Sequence, residues 1–210
     1  MRFEEKPFVI VEGPIKLPVL LKDGSIGNFK LHFFRYPKGD YYVLEKPILN
    51  TEGYVNVRIQ SACFLAHIFK SQRCDCYEQL ELSLSIINKQ TGLIIYAVNH
   101  EGRGVGPLNH VRVYKKQDEG FDTVDSYIAL GLPIDSRDYS EIKFILKKFK
   151  VKKVNLLTNN PQKINILKSM GFVVKRIPLI PKLSPYNQSQ IKVKAKKLGH
   201  LYPEEYLKEE

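Results

Sequence analysis

Cysteine and tryptophan are scarce in this 210-residue chain, which contains three cysteines and no tryptophan. All three cysteines, Cys63, Cys74 and Cys76, lie in the segment SACFLAHIFKSQRCDCYEQL at 61–80. Small secreted domains are stabilised by several disulfides, and an odd number of closely spaced cysteines does not build such a framework. The sequence therefore predicts reduced thiols and a cytoplasmic location.

Long apolar runs are also absent, since no stretch of about 18 apolar residues occurs that could span a bilayer. The first residues, MRFEEKPFVIVEG, lack a basic segment followed by a long apolar core, so we expect no signal peptide. Acidic residues number only 22 against 33 lysines and arginines, which gives a net charge of +11. That charge fits a nucleic-acid surface, a site for a polyanionic small molecule, or simply solvated lysines.

Strand patterns dominate the first 60 residues, where short apolar or alternating runs are separated by glycine, proline, aspartate and asparagine. The predicted strands are FVIVEG, KLPVLL, FKLHFFRY, YYVLEK and YVNVRIQ. Between them, DGSIGN and PKGD have the composition of turns. The N-terminal part is therefore predicted to be an antiparallel arrangement.

Helix patterns begin after Gln60 and alternate with further strands. Residues 77–89 predict an amphipathic helix because Leu80, Leu84 and Ile87 recur at helical spacing. Strands are predicted at GLIIYAV, KVNLLT and FVVKRIPLI, and a helix in NNPQKINILKSMG. We predict an α+β fold, with antiparallel N-terminal strands followed by mixed helices and strands.

A single domain is predicted over residues 1–200, because no repeat or low-complexity linker interrupts it. Residues 201–210 are predicted to form a C-terminal tail. The last ~25 residues are rich in lysine, which is typical of a surface helix or a partly mobile tail.

The spacing of the three cysteines predicts a metal site. The pattern consists of Cys63, ten intervening residues and then Cys74-Asp75-Cys76. It lacks the second pair of cysteines or histidines that closes a zinc finger. Three protein ligands and an open position are typical of catalytic zinc, and thiolates are soft ligands suited to that ion. The alternative is three buried cysteines that only pack as small apolar side chains.

His67 leaves the number of protein ligands open. On a helix beginning near Ser61, His67 lies one turn beyond Cys63 and on the same face, where it could complete a Cys₃His site. Four protein ligands would make the site structural rather than catalytic. The other interpretation is a histidine that packs in the core or on the surface.

A glycine-rich loop, NHEGRGVGPLNHVRVY, follows the predicted GLIIYAV strand. Gly102, Gly104 and Gly106 allow the backbone to approach a ligand closely, as in phosphate-binding loops. Their spacing matches neither a P-loop nor a dinucleotide fingerprint. A phosphate-binding loop and an ordinary flexible loop therefore both stay open.

Charged residues near later turns extend the candidate site. Asp135 could accept a proton and Arg137 could face a phosphate. The alternative is that Asp135 or its neighbour caps a helix running over about residues 137–148. Thr158 lies where a strand meets a helix N-terminus, a common place for ligand contacts. Lys163 is a candidate phosphate-binding cation or a solvated lysine.

Together these motifs resemble those of the GTP cyclohydrolase II family. The resemblance extends over about residues 58–200 and, more loosely, over the preceding strands. The matching segments are Arg58 with Ser61 and Cys63, RCDC at 73–76 with Gln79, EGRGVG at 101–106, Arg112 with Tyr114, QDxGFDT at 117–123, DxRDY at 135–139, LLTNNPxK at 156–163, Lys194, and LGH at 198–200.

The resemblance implies a single GTP cyclohydrolase II-like domain that acts as a homodimer and hydrolyses the guanine imidazole ring of GTP. It implies one Zn²⁺ per subunit on Cys63, Cys74 and Cys76, and Mg²⁺ bound with the substrate triphosphate. The implied products are formate, pyrophosphate and a 2,5-diamino-6-ribosylamino-pyrimidinone 5′-phosphate, in a riboflavin-type pathway.

The resemblance also implies roles for individual residues by their matched positions. Asp135 is the implied proton acceptor, Arg137 the nucleophile or stabiliser at the α-phosphate, and Tyr114 an aid to ring opening. The implied substrate-binding residues are Arg58, Gln79, Glu101, Gly102, Arg103, Thr123, Thr158 and Lys163.

Several positions depart from the family's pattern. Around the first cysteine the family reads His-Ser-Glu-Cys-x-Thr-Gly-Asp, whereas this chain has Gln60, Ala62, Leu65 and His67. Further departures are Tyr77, Asn99, His100, Pro107, His110 and Gln190.

These departures leave two alternatives to an authentic GTP cyclohydrolase II. One is a divergent paralogue that acts on GTP or a related purine nucleotide, in a different pathway or with a truncated reaction. The other is a non-catalytic protein that binds zinc and nucleotide. In each case the expected partner is a small nucleotide rather than a nucleic acid or a membrane.

Overall fold

The computed structural model describes residues 9–47 and 50–208. The strands in these ranges are β1 (Ile10–Leu20), β2 (Ile26–Tyr36), β3 (Gly39–Lys46), β4 (Tyr54–Ser61), β5 (Gly92–Ala97), β6 (Lys153–Leu157) and β7 (Val173–Ile177). They form one sheet in the order β1-β2-β3-β5-β4-β6-β7. The pairs from β1 to β5 are antiparallel, and the pairs from β5 to β7 are parallel. The predicted α+β fold with antiparallel N-terminal strands is confirmed.

Helices cover both faces of this sheet. They are α1 (Phe64–His67), α2 (Cys76–Gln90), α3 (Gly106–Asp118), α4 (Thr123–Ala129), α5 (Ile142–Lys148), α6 (Pro161–Ser169), α7 (Gln188–Leu198) and α8 (Glu204–Lys208). A short 3₁₀ segment occupies Val98–Gly104. The helix predicted from the NNPQK sequence is α6, because Asn160 accepts a hydrogen bond from the Gln162 amide and Pro161 occupies the first turn.

Two local predictions differ from the structure. Phe8, the first residue of the predicted strand FVIVEG, lies outside the described residues. The rest of that segment and KLPVLL contribute to one strand, β1, with an irregular register between Glu12 and Ile15. The helix considered as an alternative over about residues 137–148 begins only at Ile142. Asp135 does not cap it, because its carboxylate binds the Arg137 side chain instead.

The core has two parts, one on each face of the sheet, because successive strand residues point to opposite faces. On one face Val55, Val57 and Ile59 of β4 pack in the cluster that contains the apolar side of α5. On the other face Ile94 of β5 packs with residues of α2. The even-numbered polar residues of β4 therefore point away from the α5 layer, and two of them reach the cleft described below.

The carboxyl ends of three neighbouring parallel strands define the functional end of the molecule. Cys63 follows β4, the 3₁₀ segment follows β5, and Thr158 follows β6. Loops at this edge meet in space, which is why ligands of α/β sheets bind there. The tertiary fold thus gathers motifs that are about 100 residues apart in the chain.

The C-terminal residues pack against this same edge. The Leu201 amide donates to the Asn159 carbonyl at 2.8 Å, and the Tyr206 hydroxyl donates to the Pro181 carbonyl at 2.7 Å. The predicted boundary at residue 200 stays a prediction. Within the described residues, no helix combines the length and apolarity that a membrane crossing requires.

Candidate active site

A polar cleft lies at the carboxyl ends of β4, β5 and β6 and encloses about 870 Å³, including its open mouth. Fourteen site residues were predicted, namely three metal ligands, three catalytic residues and eight substrate-binding residues. Twelve of them line this cleft. The two exceptions are Asp135 and Glu101. The sequence motifs therefore converge on one place in the fold, although their chemical roles are a separate question.

The three cysteines form a compact sulfur cluster at one wall of the cleft. The Sγ atoms of Cys63 and Cys74 are 3.8 Å apart, and all three Sγ atoms lie within 4.8 Å of one another. All three are free thiols. Two zinc–sulfur bonds of about 2.3 Å at a tetrahedral angle span about 3.8 Å, so the donor set and its spacing fit zinc.

The local electrostatics favour a thiolate in this cluster. Hydrogen bonds from Cys63 and Cys74 lower the pKa of the Cys76 thiol well below its usual value. The nearby ammonium group of Lys194 lowers it further. A thiolate is the form of cysteine that binds a metal, so Cys76 is prepared for a cation. Hydrogen bonds with Cys74 and Cys76, together with burial, raise the pKa of Cys63. Although its hydrogen bond with Cys63 lowers the pKa of Cys74, the neighbouring sulfur of Cys76 and burial raise that pKa overall. These two thiols therefore keep their protons until a cation replaces them.

Asp75 anchors the loop that carries two of the cysteines. Its side chain is completely buried and accepts hydrogen bonds from Lys194 at 2.5 Å, Gln79 at 2.6 Å and Tyr202 at 3.0 Å. Gln79 in turn accepts from the Arg58 guanidinium at 2.7 Å. This network connects the cysteine-bearing loop to both the sheet and helix α7.

Buried cations also line the cleft. Arg58 donates to the Leu157 carbonyl at 2.9 Å, and burial lowers its pKa to about 10. Lys163 donates to the Ile59 carbonyl at 2.8 Å. Burial, with Arg58 and Arg137 nearby, lowers the pKa of Lys163 well below its usual value. These cations lack carboxylate partners in the contacts described, so an anionic ligand would stabilise them.

The glycine loop turns sharply and brings Arg103 beside Arg137. Gly102, Arg103 and Gly104 all have positive φ, at 58°, 58° and 88°. A Cβ atom at Gly104 would lie 2.9 Å from the carbonyl carbon of Ser136, so only glycine allows the two loops to approach this closely. The Ser136 amide donates to the Arg103 carbonyl at 3.0 Å, which holds the loops together.

Asp135 and Arg137 form a two-point ion pair. Arg137 Nε donates to Asp135 Oδ1 at 2.8 Å, and Nη2 donates to Oδ2. Although burial raises the pKa of Asp135, its hydrogen bonds with Arg137 hold that pKa below the usual value. Arg137 also donates from Nη1 to the Ser61 hydroxyl at 3.2 Å. The guanidinium is therefore fixed on two sides while it lines the cleft.

Glu101 lies behind the cleft rather than on its surface. One carboxylate oxygen accepts from the Phe64 amide at 2.8 Å, and the other pairs with His110 Nδ1 at 2.5 Å. Phe64 is the residue after Cys63 of the sulfur cluster, and His110 belongs to α3. Glu101 thus connects the glycine loop to the start of α1 and to α3.

Residues 18–178 match the family model described as GTP cyclohydrolase II. This chain belongs to the GTP cyclohydrolase II family. The match covers β2 through β7 and most of the cleft, including the cysteine cluster and the Asp135–Arg137 pair.

Individual members of the GTP cyclohydrolase II family show how far the similarity extends. The GTP cyclohydrolase-2 of Archaeoglobus fulgidus is 42% identical over 96% of this chain and 53% of its own length. That of Campylobacter fetus is 41% identical over 90% of this chain and 97% of its own length. A riboflavin biosynthesis protein RibBA from Staphylococcus saprophyticus is 45% identical over 89% of this chain and 46% of its own length. The chain thus spans about half the length of some of these relatives and nearly all of another.

The departures from the GTP cyclohydrolase II pattern around Cys63 form their own network. His67 Nδ1 pairs with the Tyr96 hydroxyl at 2.8 Å, and His67 Nε2 approaches Gln60 Nε2 at 3.2 Å. Gln60 also accepts from Arg58 Nε at 2.9 Å. Among the described residues, the metal-ligand cluster contains the three cysteines without His67. The structure therefore favours three protein ligands over a closed Cys₃His site.

Several polar atoms of the cleft lack a hydrogen-bond partner among the described residues. They are the Tyr114 hydroxyl, Gln117 Nε2, Gln190 Oε1 and His200 Nδ1. A buried polar atom without a partner costs free energy, so a polar ligand would satisfy these groups. Gln117, Gln190 and His200 were not predicted as site residues, although Gln117 and His200 belong to motifs that match the family.

Proposed function

We propose that this chain is a GTP cyclohydrolase II, which hydrolyses the imidazole ring of GTP and releases formate and pyrophosphate. The observation that carries the proposal is the convergence of a three-sulfur cluster and buried cations on one cleft. A metal site alone fits many hydrolases, and a cationic cleft alone fits many nucleotide-binding proteins. Their combination fits hydrolysis of a nucleoside triphosphate at a metal centre.

Zinc held by Cys63, Cys74 and Cys76 would lower the pKa of water and so supply a hydrolytic nucleophile at neutral pH. Opening the ring and releasing formate consumes two water molecules, and releasing pyrophosphate consumes a third. The remaining product is a 2,5-diamino-6-ribosylamino-pyrimidinone 5′-phosphate. Mg²⁺ would arrive with the triphosphate, since phosphate oxygens are its preferred ligands.

Tyr114 is the side chain proposed to assist ring opening. Its hydroxyl has no hydrogen-bond partner among the described residues and is buried in the cleft. Burial and the nearby cysteine sulfurs raise the pKa of Tyr114 above its usual value. The hydroxyl therefore keeps its proton at neutral pH and can donate a hydrogen bond to a ring nitrogen as the ring opens.

Arg137 is proposed to act at the α-phosphate. A guanidinium has five N–H donors, of which three are used by Asp135 and Ser61. The remaining two are free for phosphate oxygens. Asp135 would orient the guanidinium and is the proposed proton acceptor of the reaction. Arg58, Arg103 and Lys163 would offset the charge of the departing pyrophosphate.

The remaining predicted roles belong to the same proposal. Gln79, Gly102, Thr123 and Thr158 line the cleft and would contact the nucleotide. Glu101 would act by holding the glycine loop, since both of its oxygens already have protein partners. We also propose a homodimer in the cytoplasm, with riboflavin biosynthesis as the pathway.

A divergent paralogue is the second candidate function, and the Gln60–His67 network favours it. This network and Ala62 replace polar and acidic family residues next to Cys63, where substrate selection would occur. Such an enzyme would act on a related purine nucleotide or stop after part of the reaction. The same cleft would then serve a different product.

The test is incubation of purified zinc-loaded protein with GTP and Mg²⁺, followed for formate, pyrophosphate and the pyrimidine product. Release of all three supports GTP cyclohydrolase II activity. A product that retains the formyl group, or turnover only with another purine nucleotide, supports the divergent paralogue. Tight GTP binding without turnover would show a non-catalytic nucleotide-binding protein.

Zinc dependence is tested in the same assay. Cys74→Ser should abolish turnover, and chelation should do the same reversibly, with recovery when Zn²⁺ is added back. The chelated wild-type protein controls for misfolding of the variant. Turnover by protein without metal would contradict the zinc mechanism.

A further inference from the structure

His100 is a buried histidine that departs from the family's pattern and has no role in the mechanism so far. It is 3% exposed and lies in the 3₁₀ segment after β5. Both of its ring nitrogens have partners, and neither partner is a metal ligand. Its ring also packs edge-on against Tyr139 at 4.8 Å between centroids.

The hydrogen bonds of His100 determine its tautomer. Nε2 lies 2.8 Å from the Asp138 carbonyl oxygen, which can only accept, so Nε2 carries the proton. In the neutral ring Nδ1 is then an acceptor. Nδ1 lies 3.3 Å from the Ser61 hydroxyl, which must therefore donate to it.

The orientation of Ser61 affects Arg137 directly. Because the Ser61 hydroxyl proton points to His100, its lone pairs are available to Arg137 Nη1 at 3.2 Å. Asp135 binds the other edge of the same guanidinium. Ser61 thus fixes the rotation of the guanidinium on the side that Asp135 does not reach.

We infer that His100 is a positioning residue that acts through Ser61 to hold the Arg137 guanidinium with two N–H groups free for a phosphate. The chain of contacts runs from the Asp138 carbonyl through His100 and Ser61 to Arg137. A protonated His100 would donate from both nitrogens and would compete with Arg137 for the Ser61 oxygen. The inference rests on the role proposed for Arg137.

A double-mutant cycle in the GTP assay tests this arrangement. His100→Phe removes both hydrogen bonds and should lower kcat by roughly 10- to 100-fold with little change in KM, since misplacement of a catalytic group costs about that much. His100→Gln keeps one donor and one acceptor and should recover most of the loss. The double variant His100→Phe/Ser61→Ala should be no slower than Ser61→Ala alone, because His100 acts through Ser61.

Full kcat in His100→Phe, or additive losses in the double variant, would overturn the inference. Zinc content and the melting temperature of each variant show whether a loss reflects misfolding. If His100→Phe does not fold, the comparison of His100→Gln with wild type and the spectroscopic measurement below decide the question.

Nitrogen NMR supplies a readout that is independent of turnover. In zinc-loaded protein His100 should show the Nε2–H tautomer at neutral pH. The Arg137 guanidinium should rotate more freely in Ser61→Ala and His100→Phe than in wild type. A proton on Nδ1, or unchanged Arg137 signals, would refute the inference. An inactive wild-type protein with these NMR signatures would instead refute only the proposed function.

Discussion

The ammonium nitrogen of Lys194 lies 2.5 Å from Oδ1 of Asp75, a carboxylate with 0% exposure. Asp75 separates Cys74 from Cys76, and Lys194 is 119 residues further along the chain. A buried charge that loses its partner is strongly destabilising. This ion pair therefore connects the stability of helix α7 to the geometry of the sulfur cluster.

Replacement of Lys194 by methionine should destabilise the protein and weaken zinc binding. The variant leaves Asp75 buried and unpaired, which costs about 3–5 kcal/mol. Urea unfolding and zinc stoichiometry after dialysis measure the two effects. The matched control is Lys197→Met, at a residue on the same helix as Lys194. It removes exposed ion pairs with Asp122 and Asp125 and should change the free energy of unfolding and the zinc content little. Equal effects in the two variants would contradict the anchoring role of Lys194.

Alanine substitutions at two glycines separate steric contact from backbone strain. Gly104 and Gly106 have similar positive φ values of 88° and 84°, but a Cβ meets Ser136 only at Gly104. Both variants have the same backbone strain from positive φ. Gly104→Ala should lower the free energy of unfolding by about 1–3 kcal/mol more than Gly106→Ala, because the loops that carry Gly104 and Ser136 must separate. Its kcat/KM for GTP should also fall, since Arg103 moves with the loop. Equal unfolding free energies for the two variants would show that the contact with Ser136 is unimportant.

Variants of His67 distinguish a metal ligand from a specificity residue. His67→Ala should retain one zinc per chain, because its nitrogens pair with Tyr96 and Gln60 rather than joining the sulfur cluster. His67→Asp restores the carboxylate of the family's pattern and should raise activity with GTP if this position selects the substrate. Zinc analysis and steady-state kinetics measure the two effects. Loss of zinc in His67→Ala alongside normal folding would show that His67 is a ligand.

The buried His100 predicts a loss of stability at acidic pH. Burial lowers the pKa of His100 to about 4, whereas an unfolded histidine has a pKa of about 6.5. Between these values the unfolded chain binds a proton that the folded chain does not, so the free energy of unfolding falls as pH falls. The stabilisation from neutral His100 is fully present above about pH 6.5. At pH 5 the free energy of unfolding is lower by on the order of 2 kcal/mol.

Urea unfolding of wild type and His100→Gln at pH 7 and pH 5 measures this contribution. Glutamine does not titrate, so the variant should lose less stability than wild type over the same interval. The difference between the two proteins cancels the effects of the other titrating groups, including the cysteines. An identical pH dependence in both proteins would mean that His100 titrates normally in the folded state.

Some features of the site followed from local sequence. The spacing of Cys63, Cys74 and Cys76 predicted a ligand set because the two elements that carry them, the turn before α1 and the first turn of α2, are close in the chain. The glycines at 102–106 indicated a loop whose backbone can approach other groups closely, because glycine adopts positive φ without strain. Alternation of apolar residues identified β4 because a strand exposes opposite faces in turn, and a continuous apolar run identified β5 as a buried strand.

Other features depended on contacts between distant segments. No local pattern indicates that Lys194 neutralises Asp75, that Glu101 contacts the Phe64 amide, or that Arg137 donates to Ser61. Of the two alternatives for Asp135, the helix cap is not observed, because its carboxylate pairs with Arg137 and the helix begins only at Ile142. His67 had helical spacing to Cys63, but helix α1 is only four residues long. The His67 side chain pairs with the Tyr96 hydroxyl instead of joining the sulfur cluster.

The sequence by itself determined the kind of chemistry. Only cysteine supplies closely spaced thiols, and glycine adopts positive φ without strain, so residue identity alone sets both features. The tertiary structure decided which groups act together. Parallel strands end at one edge of the sheet, so loops from β4, β5 and β6 and the helix α7 meet there whatever their separation in the chain. Hydrogen bonds across that edge then set the tautomer of His100, the rotation of Arg137 and the charge balance around Asp75.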